Sequence, residues 1–200
     1  MCMAHHLFYL YSMQKSVLHQ KIITTAGELF YTNGYHATGV NEIISKCGIA
    51  KATLYSHFAS KEEVCVAYLQ ARNETLMKGL KSFLAEKPLG EDQVLGILEF
   101  LIPFFGGKDF NGCWCIRTVA EIPQEDVHIR SEIQKQKQGL RDYILQVVRE
   151  NLPNRNSDQH QKLATRTYLL YEGALAESHL QHDSWPIHAN IDLLADLLKS

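Results

Sequence analysis

Apolar residues recur at helical spacing along most of the chain, and polar residues or glycines interrupt them at intervals. Between Gln14 and Thr32, the residues Ile22, Ile23, Ala26, Leu29 and Phe30 form an i, i+3/i+4, i+7 stripe, which predicts an amphipathic helix. Asn33-Gly34 closes it, because both residue types tolerate the left-handed backbone of a helix end. Two short segments follow. Val40, Ile43 and Ile44 share a face in the first, and Ile49, Leu54 and Phe58 turn inward in the second. Thr38 is expected to cap the first by accepting a backbone N–H, and Gly48 to supply the tight turn between them. Both are too short to be stable alone.

Ser60 followed by Glu63 reads as a capping box that opens a helix running to about Leu84 through Val64, Tyr68 and Ala71. That helix is expected to be the one covalent link between the N-terminal segment and the rest, so that any signal tilts it. Lys87-Pro88-Leu89-Gly90 breaks the pattern. Helices are then expected over about 91–105, closed by Gly106-Gly107, over 113–122 before Pro123, and over 126–150 with Ile129, Ile133, Leu140, Ile144, Val147 and Val148 on one side. A polar loop at 151–157 precedes two final helices over about 158–181 and 186–199. No alternating run of strand length, no internal repeat and no low-complexity tract is present. The expected fold is all-α, with about nine helices.

The two short segments around Cys47-Gly48 form a helix-turn-helix pattern, whose second helix enters the DNA major groove. With its apolar residues turned inward, Lys51, Thr53, Tyr55, Ser56 and His57 face out, and Ala52 leaves room for close approach. These are donors suited to phosphate oxygens and base edges, with no carboxylate among them. Charge sharpens the picture. Residues 1–61 hold five Lys against Glu28 and Glu42, a balance of +3, so the remainder carries −5 within an overall −2. A basic module on an acidic body fits a polyanion at one end only. Five Cys show no disulfide framework and suit a reducing cytoplasm, and no uninterrupted apolar run is long enough for a membrane span. Residues 1–12 are apolar and aromatic without a basic leader region, and read as an over-extended start or a disordered arm.

The combined pattern A26-G-E-L-F30, N33-G-Y35, T38, V40, I43, G48-I-A-K51, L54-Y-S-H-F58 and S60-K61-E62 resembles the N-terminal domain of the TetR family of transcriptional regulators. The likeness covers roughly residues 15–70; beyond that, only length and helical character match. It implies a DNA-binding domain over residues 13–60 and an effector-binding and dimerisation domain over 61–200. It also implies that Lys51, Thr53 and Ser56 read base edges while Tyr55, His57 and Lys61 bind phosphate, with added contacts from Asn41 and Thr38. Family members pair as homodimers through a four-helix bundle of their last two helices, so Leu170, Ala174, Ile187, Ile191, Leu194 and Leu198 are expected at the interface. The implied protein is a ligand-responsive repressor with a double-stranded DNA operator and a small-molecule effector as partners.

For the effector, Phe100, Phe104, Trp114, Tyr143, Tyr168 and Tyr171 are candidate pocket walls, and Arg117 and Glu121 candidate polar anchors, since pockets combine apolar walls with a few placed polar groups. Arg117 falls in an apolar run, where Glu121 at i+4 would serve as its partner. Cys113 and Cys115 carry an alternative, a thiol that senses electrophiles or oxidants. Residues two apart on a helix point about 200° apart, so this pair is not read as a metal site. No cofactor is implied. Without a G-x-S-x-G, Walker, HExxH or dinucleotide glycine motif, nothing points to an enzyme.

Overall fold

The computed structural model describes the backbone of residues 2–107 and 110–199 and, within these, the side chains from Ser16 onward. The expectation for residues 1–12 concerns a segment outside the described side chains. The described residues form ten helices and no strand: α1 (Cys2–Asn33), α2 (Val40–Cys47), α3 (Lys51–Tyr55), α4 (Lys61–Ala85), α5 (Glu91–Glu99), α6 (Leu101–Phe105), α7 (Trp114–Glu121), α8 (Val127–Asn151), α9 (Ser157–Gln181) and α10 (Trp185–Lys199). Where the sequence pattern predicts one helix over 91–105, α5 and α6 meet at Phe100, which ends one and starts the other. Counting that bent pair as one gives the nine expected.

The chain divides into two compact units. The first gathers the residues up to Arg72 with Trp114–Ile133; the second holds Asn73–Cys113 and Gln134 onward. The chain therefore passes between units inside α4, between Cys113 and Trp114, and inside α8. This corrects the expectation that α4 is the one covalent link.

In the first unit the stripe of α1 is buried as its spacing requires, with Ile22 and Ala26 fully inside, and so are Ile43 of α2 and Leu54 of α3. Full burial of such side chains contributes about 1.5–3 kcal/mol each relative to exposure. Gly48 ends α2 with φ +65°. Its N–H reaches Ser45 O at 3.1 Å and that of Ile49 reaches Ile44 O at 3.2 Å, the paired bonds of a Schellman end that only a left-handed residue permits. Ser60 Oγ accepts from Glu63 N at 3.1 Å, and Glu63 Oε2 accepts in return from Ala59 N at 2.6 Å, one residue before the position a capping box usually serves.

In the second unit α5, α9 and α10 pack together around Val94, Ile97, Leu98, Leu163, Ala174, Ile187, Leu194 and Leu198, joined by Leu80 and Leu84 of α4 and Leu140, Ile144 and Val148 of α8. Asn151 pins one end of this core. Its Oδ1 accepts from Gly90 N at 2.8 Å, and its Nδ2 donates to Val147 O at 2.9 Å and Gln93 Oε1 at 3.0 Å. Asn156 and Gln159 cap α9 reciprocally. Among the described residues, no helix is long and apolar enough to cross a membrane.

Candidate nucleic-acid interface

The helix-turn-helix presents most of its expected donors outward. Lys51, Ala52, Tyr55 and Ser56 are exposed, as is Asn41 on α2, and Thr53 is half-buried. Ser56 Oγ donates to Thr53 O at 2.7 Å, which leaves the hydroxyl oxygen as an acceptor and turns its proton away from a base edge. His57 is half-buried, with His19 of α1 beside it at 5.7 Å between ring centroids; His19 also stacks on Phe58 at 4.4 Å. Lys61 is drawn inward. Its ammonium lies 4.3 Å from the centroid of the Tyr35 ring, a cation–π contact. Burial lowers the pKa of Lys61, with Cys65 and Glu121 opposing. Burial likewise pushes the Tyr35 hydroxyl up to about 12, reinforced by Cys65, Asp126 and Glu62.

Thr38 differs from its expected role. It is fully buried, and its hydroxyl donates to Gly34 O at 2.7 Å instead of capping α2. The position before α2 falls to Gly39, which offers no side-chain cap. The amides of Glu42 and Ile43 bond instead to Gly39 O, at 3.1 and 3.2 Å. Glu121, expected as a polar anchor of the effector pocket, has a partner in this unit that its spacing did not suggest. From α7 its Oε2 accepts the N–H of His36 at 2.7 Å, on the turn between α1 and α2.

The other expected sites sort by unit. Of the proposed pocket residues, Trp114, Arg117 and Glu121 belong to the first unit, whereas Phe100, Phe104, Tyr143, Tyr168 and Tyr171 belong to the second. Trp114 is buried and stacks with Arg72 at 5.0 Å, which also lies 4.8 Å from the Tyr31 ring. In the second unit the rings of Phe83, Phe100, Phe104 and Phe110 form a continuous chain with centroids 5.6–6.5 Å apart. Tyr143 and Tyr168 are half-buried and Tyr171 is fully inside. Burial raises the pKa of Tyr168, with Glu172 adding to it.

Cys113 is half-buried and Cys115 buried. Lys137 Nζ lies 3.4 Å from Cys113 Sγ and is gripped by both oxygens of Glu172, at 2.6 and 2.7 Å. Sequence spacing could not have paired Lys137 with Glu172, because they come from different helices. Among the described residues, no three His, Cys, Asp or Glu side chains gather as metal ligands.

The expected dimer residues need correction. Ala174, Ile187, Leu194 and Leu198 are buried in the second unit's own core, and Leu170 and Ile191 pack against it from the side. They leave little surface for a partner. The outward apolar residues on the same helices are Leu169 and Leu180 of α9 and Trp185 and Leu193 of α10, each more than half exposed. Exposed Gly173 and Ala176 lie between the two leucines of α9, completing an i, i+4, i+7, i+11 stripe.

A family model described as bacterial regulatory proteins, tetR family, matches residues 22–68, the segment that contains this helix-turn-helix. The chain is 39% identical over 84 residues to the HTH-type transcriptional activator FasR of Mycolicibacterium smegmatis, a match that covers 42% of this chain and only 38% of that protein. It is 23% identical over 139 residues to the Fatty acid metabolism regulator protein of Bacillus subtilis, covering 70% of each. In fold, it is similar to a TetR-family transcriptional regulator from Streptomyces coelicolor, with TM-score 0.81, 20% identity and coverage of 91% and 88% of the two chains. It is also similar to the reduced form of Escherichia coli NemR, with TM-score 0.79, 20% identity and coverage of 90% and 96%. With its motif at the matched positions and its donors facing outward, the segment 22–68 is similar to the DNA-binding domain of the tetR family of bacterial regulatory proteins, and the fold of the chain is that of the TetR-family regulator from Streptomyces coelicolor.

Proposed function

We propose that this protein is a DNA-binding transcriptional regulator, a cytoplasmic homodimeric repressor that binds a palindromic operator and leaves it when a small apolar effector binds the second unit. The observation that carries the reading is the size of the recognition helix. Five residues, Lys51–Tyr55, reach only a few base pairs, and a net charge of +3 on residues 1–61 gives weak attraction to DNA. Two copies about 34–36 Å apart supply both specificity and affinity. The outward stripe of Leu169, Gly173, Ala176 and Leu180, with Trp185 and Leu193, is the surface on which they would pair. The Phe83–Phe100–Phe104–Phe110 ring chain suits an apolar effector. Because a relative is named for fatty acid metabolism, fatty acids and their acyl derivatives are the first compounds to test. An effector releases DNA only to the extent that it binds the released state more tightly.

The test is capture of sheared genomic DNA on the full-length protein beside a Lys51→Ala/Tyr55→Ala variant. The expected result is a palindromic site retained by the wild type and lost by the variant. Retention of the same fragments by both would sink the reading. Reporter expression from the recovered site, with and without the gene, gives the sign of regulation.

A second reading is favoured by the ammonium of Lys137 beside Cys113. A neighbouring cation stabilises the thiolate, the form that attacks electrophiles. In that reading the signal is covalent modification of Cys113, with buried Cys115 inert. Treatment with N-ethylmaleimide would then release DNA from the wild type and from Cys115→Ser, but not from Cys113→Ser. Equal release from all three proteins removes this reading.

A further inference from the structure

We infer that Glu121 is a positioning residue for DNA binding, holding the turn between α1 and α2 that leads into Asn41 and the helix-turn-helix. Several contacts hold the turn. Gly34 N donates to Phe30 O at 3.1 Å, Thr38 Oγ1 donates to Gly34 O at 2.7 Å, and Asn33 Nδ2 donates to Glu42 Oε1 at 3.4 Å. These are local, and the Tyr35 ring adds its contacts with Phe30 and Lys61. The backbone itself is also bonded from a distance, His36 N donating to Glu121 Oε2 at 2.7 Å, from a residue 85 positions later in the chain.

A second feature places the same carboxylate. Gly34 has φ +97°, and a Cβ built on it would fall 2.6 and 2.7 Å from the two oxygens of Glu121. The carboxylate thus rests against a bare Cα on one side and accepts an N–H on the other. A charged acceptor makes a stronger bond than a neutral one.

α7 itself is fixed within the first unit at both ends. Trp114 at its start stacks on Arg72 of α4, and Glu121 at its end holds the turn. α7 also follows directly on Cys113, the last residue of a second-unit segment, so the covalent chain carries any displacement there into α7. Withdrawing the carboxylate frees the His36 amide and loosens the turn that leads into Gly39 and Asn41.

The inference rests on DNA binding by this unit, and not on the choice between repressor and activator. The experiment measures binding of the full-length wild type, Glu121→Ala and Glu121→Gln to a fragment retained by the wild type, over a range of salt. Amide hydrogen exchange is followed on the same proteins without DNA. Glu121→Ala is expected to bind about tenfold more weakly or worse, with an unchanged salt slope because no phosphate contact is lost. Amides of residues 34–38 should exchange faster while those of the α1 and α4 cores do not. Glu121→Gln, whose amide oxygen still accepts, should stay within about threefold of wild type. Three results overturn the inference: Glu121→Ala binding within about twofold of wild type, exchange rising throughout the unit, or Glu121→Gln failing as badly as Glu121→Ala. The exchange data alone show a faulty positioning role even if no DNA fragment is retained.

Discussion

The two units use polar side chains in opposite ways. On α2 and α3, Asn41, Lys51 and Tyr55 stand exposed on the outside of a buried apolar layer. In the second unit, Lys137 and Glu172 are 17% and 20% exposed and satisfy each other. An exposed donor contributes little to folding and is free to meet a partner. A half-buried ion pair has already lost most of its water, and its attraction must offset that loss. The first arrangement marks a contact surface. The second marks a place where losing one partner is felt by the whole unit.

A large effect on stability should come from breaking that pair. Lys137→Met or Glu172→Gln alone leaves a charge without its partner in a poorly hydrated site, and each should destabilise the protein by about 2 kcal/mol or more. The double variant Lys137→Met/Glu172→Gln removes both charges and should recover to within about 1 kcal/mol of wild type. Urea unfolding of the four proteins measures the coupling. Additive losses in the double variant would mean that the pair behaves like an exposed one, and the contrast between units would fail.

How much of this was visible beforehand follows the same division. The inward residues of the helix-turn-helix, Ile43, Leu54 and Phe58, were legible because spacing alone fixes which side of a short helix is apolar. Gly48 was legible because few residues adopt φ +65° without strain. Thr38 was misread because a hydroxyl before a helix can turn to a local carbonyl as readily as to the helix amides. On α9 and α10 the apolar pattern runs round more than one side. It identified Leu170, Ala174, Ile187 and Leu194 as an apolar face without saying which neighbour covers it; the outward Leu169 and Leu193 each lie one position away. Contacts such as Glu121 with His36, and Lys137 with Glu172, depend on the tertiary fold and have no local signature.

Alkali probes the interior of the first unit. Burial pushes the Cys65 thiol from an ordinary 9.0 up to about 12, and the Tyr35 hydroxyl from 10.0 to about 12. Both folded-state values lie above the unfolded ones. The associated stability is therefore intact below about pH 9 and drains as the pH climbs toward 12, because the unfolded chain ionises first. For Cys65 alone the slope is at most about 1.4 kcal/mol per pH unit. Thermal midpoints of wild type and Cys65→Ala between pH 8 and about 10.5 should show a shallower decline in the variant, although its starting midpoint is lower from the lost packing. Parallel curves would mean that this thiol ionises as freely in the folded protein as in the unfolded chain.

The smallest expected effect on stability belongs to the residues with the largest expected effect on DNA binding. Lys51→Ala and Tyr55→Ala remove exposed side chains from α3 without opening a cavity, and each should change the unfolding free energy by no more than about 0.5 kcal/mol. Lys51→Ala should relax site selection, since losing a good base contact costs about 1–3 kcal/mol of discrimination, whereas Tyr55→Ala, which removes an expected phosphate contact, should weaken binding to all sequences alike. Leu54 supplies the control. It is fully buried one residue before Tyr55, and Leu54→Ala should cost about 2–5 kcal/mol of stability and lose DNA binding only by unfolding the unit. Comparing binding with urea midpoints across the three variants separates the two causes. If Tyr55→Ala proved as destabilising as Leu54→Ala, the outward face of α3 would be packed against something in the folded protein, and its availability to a DNA groove would have to be abandoned.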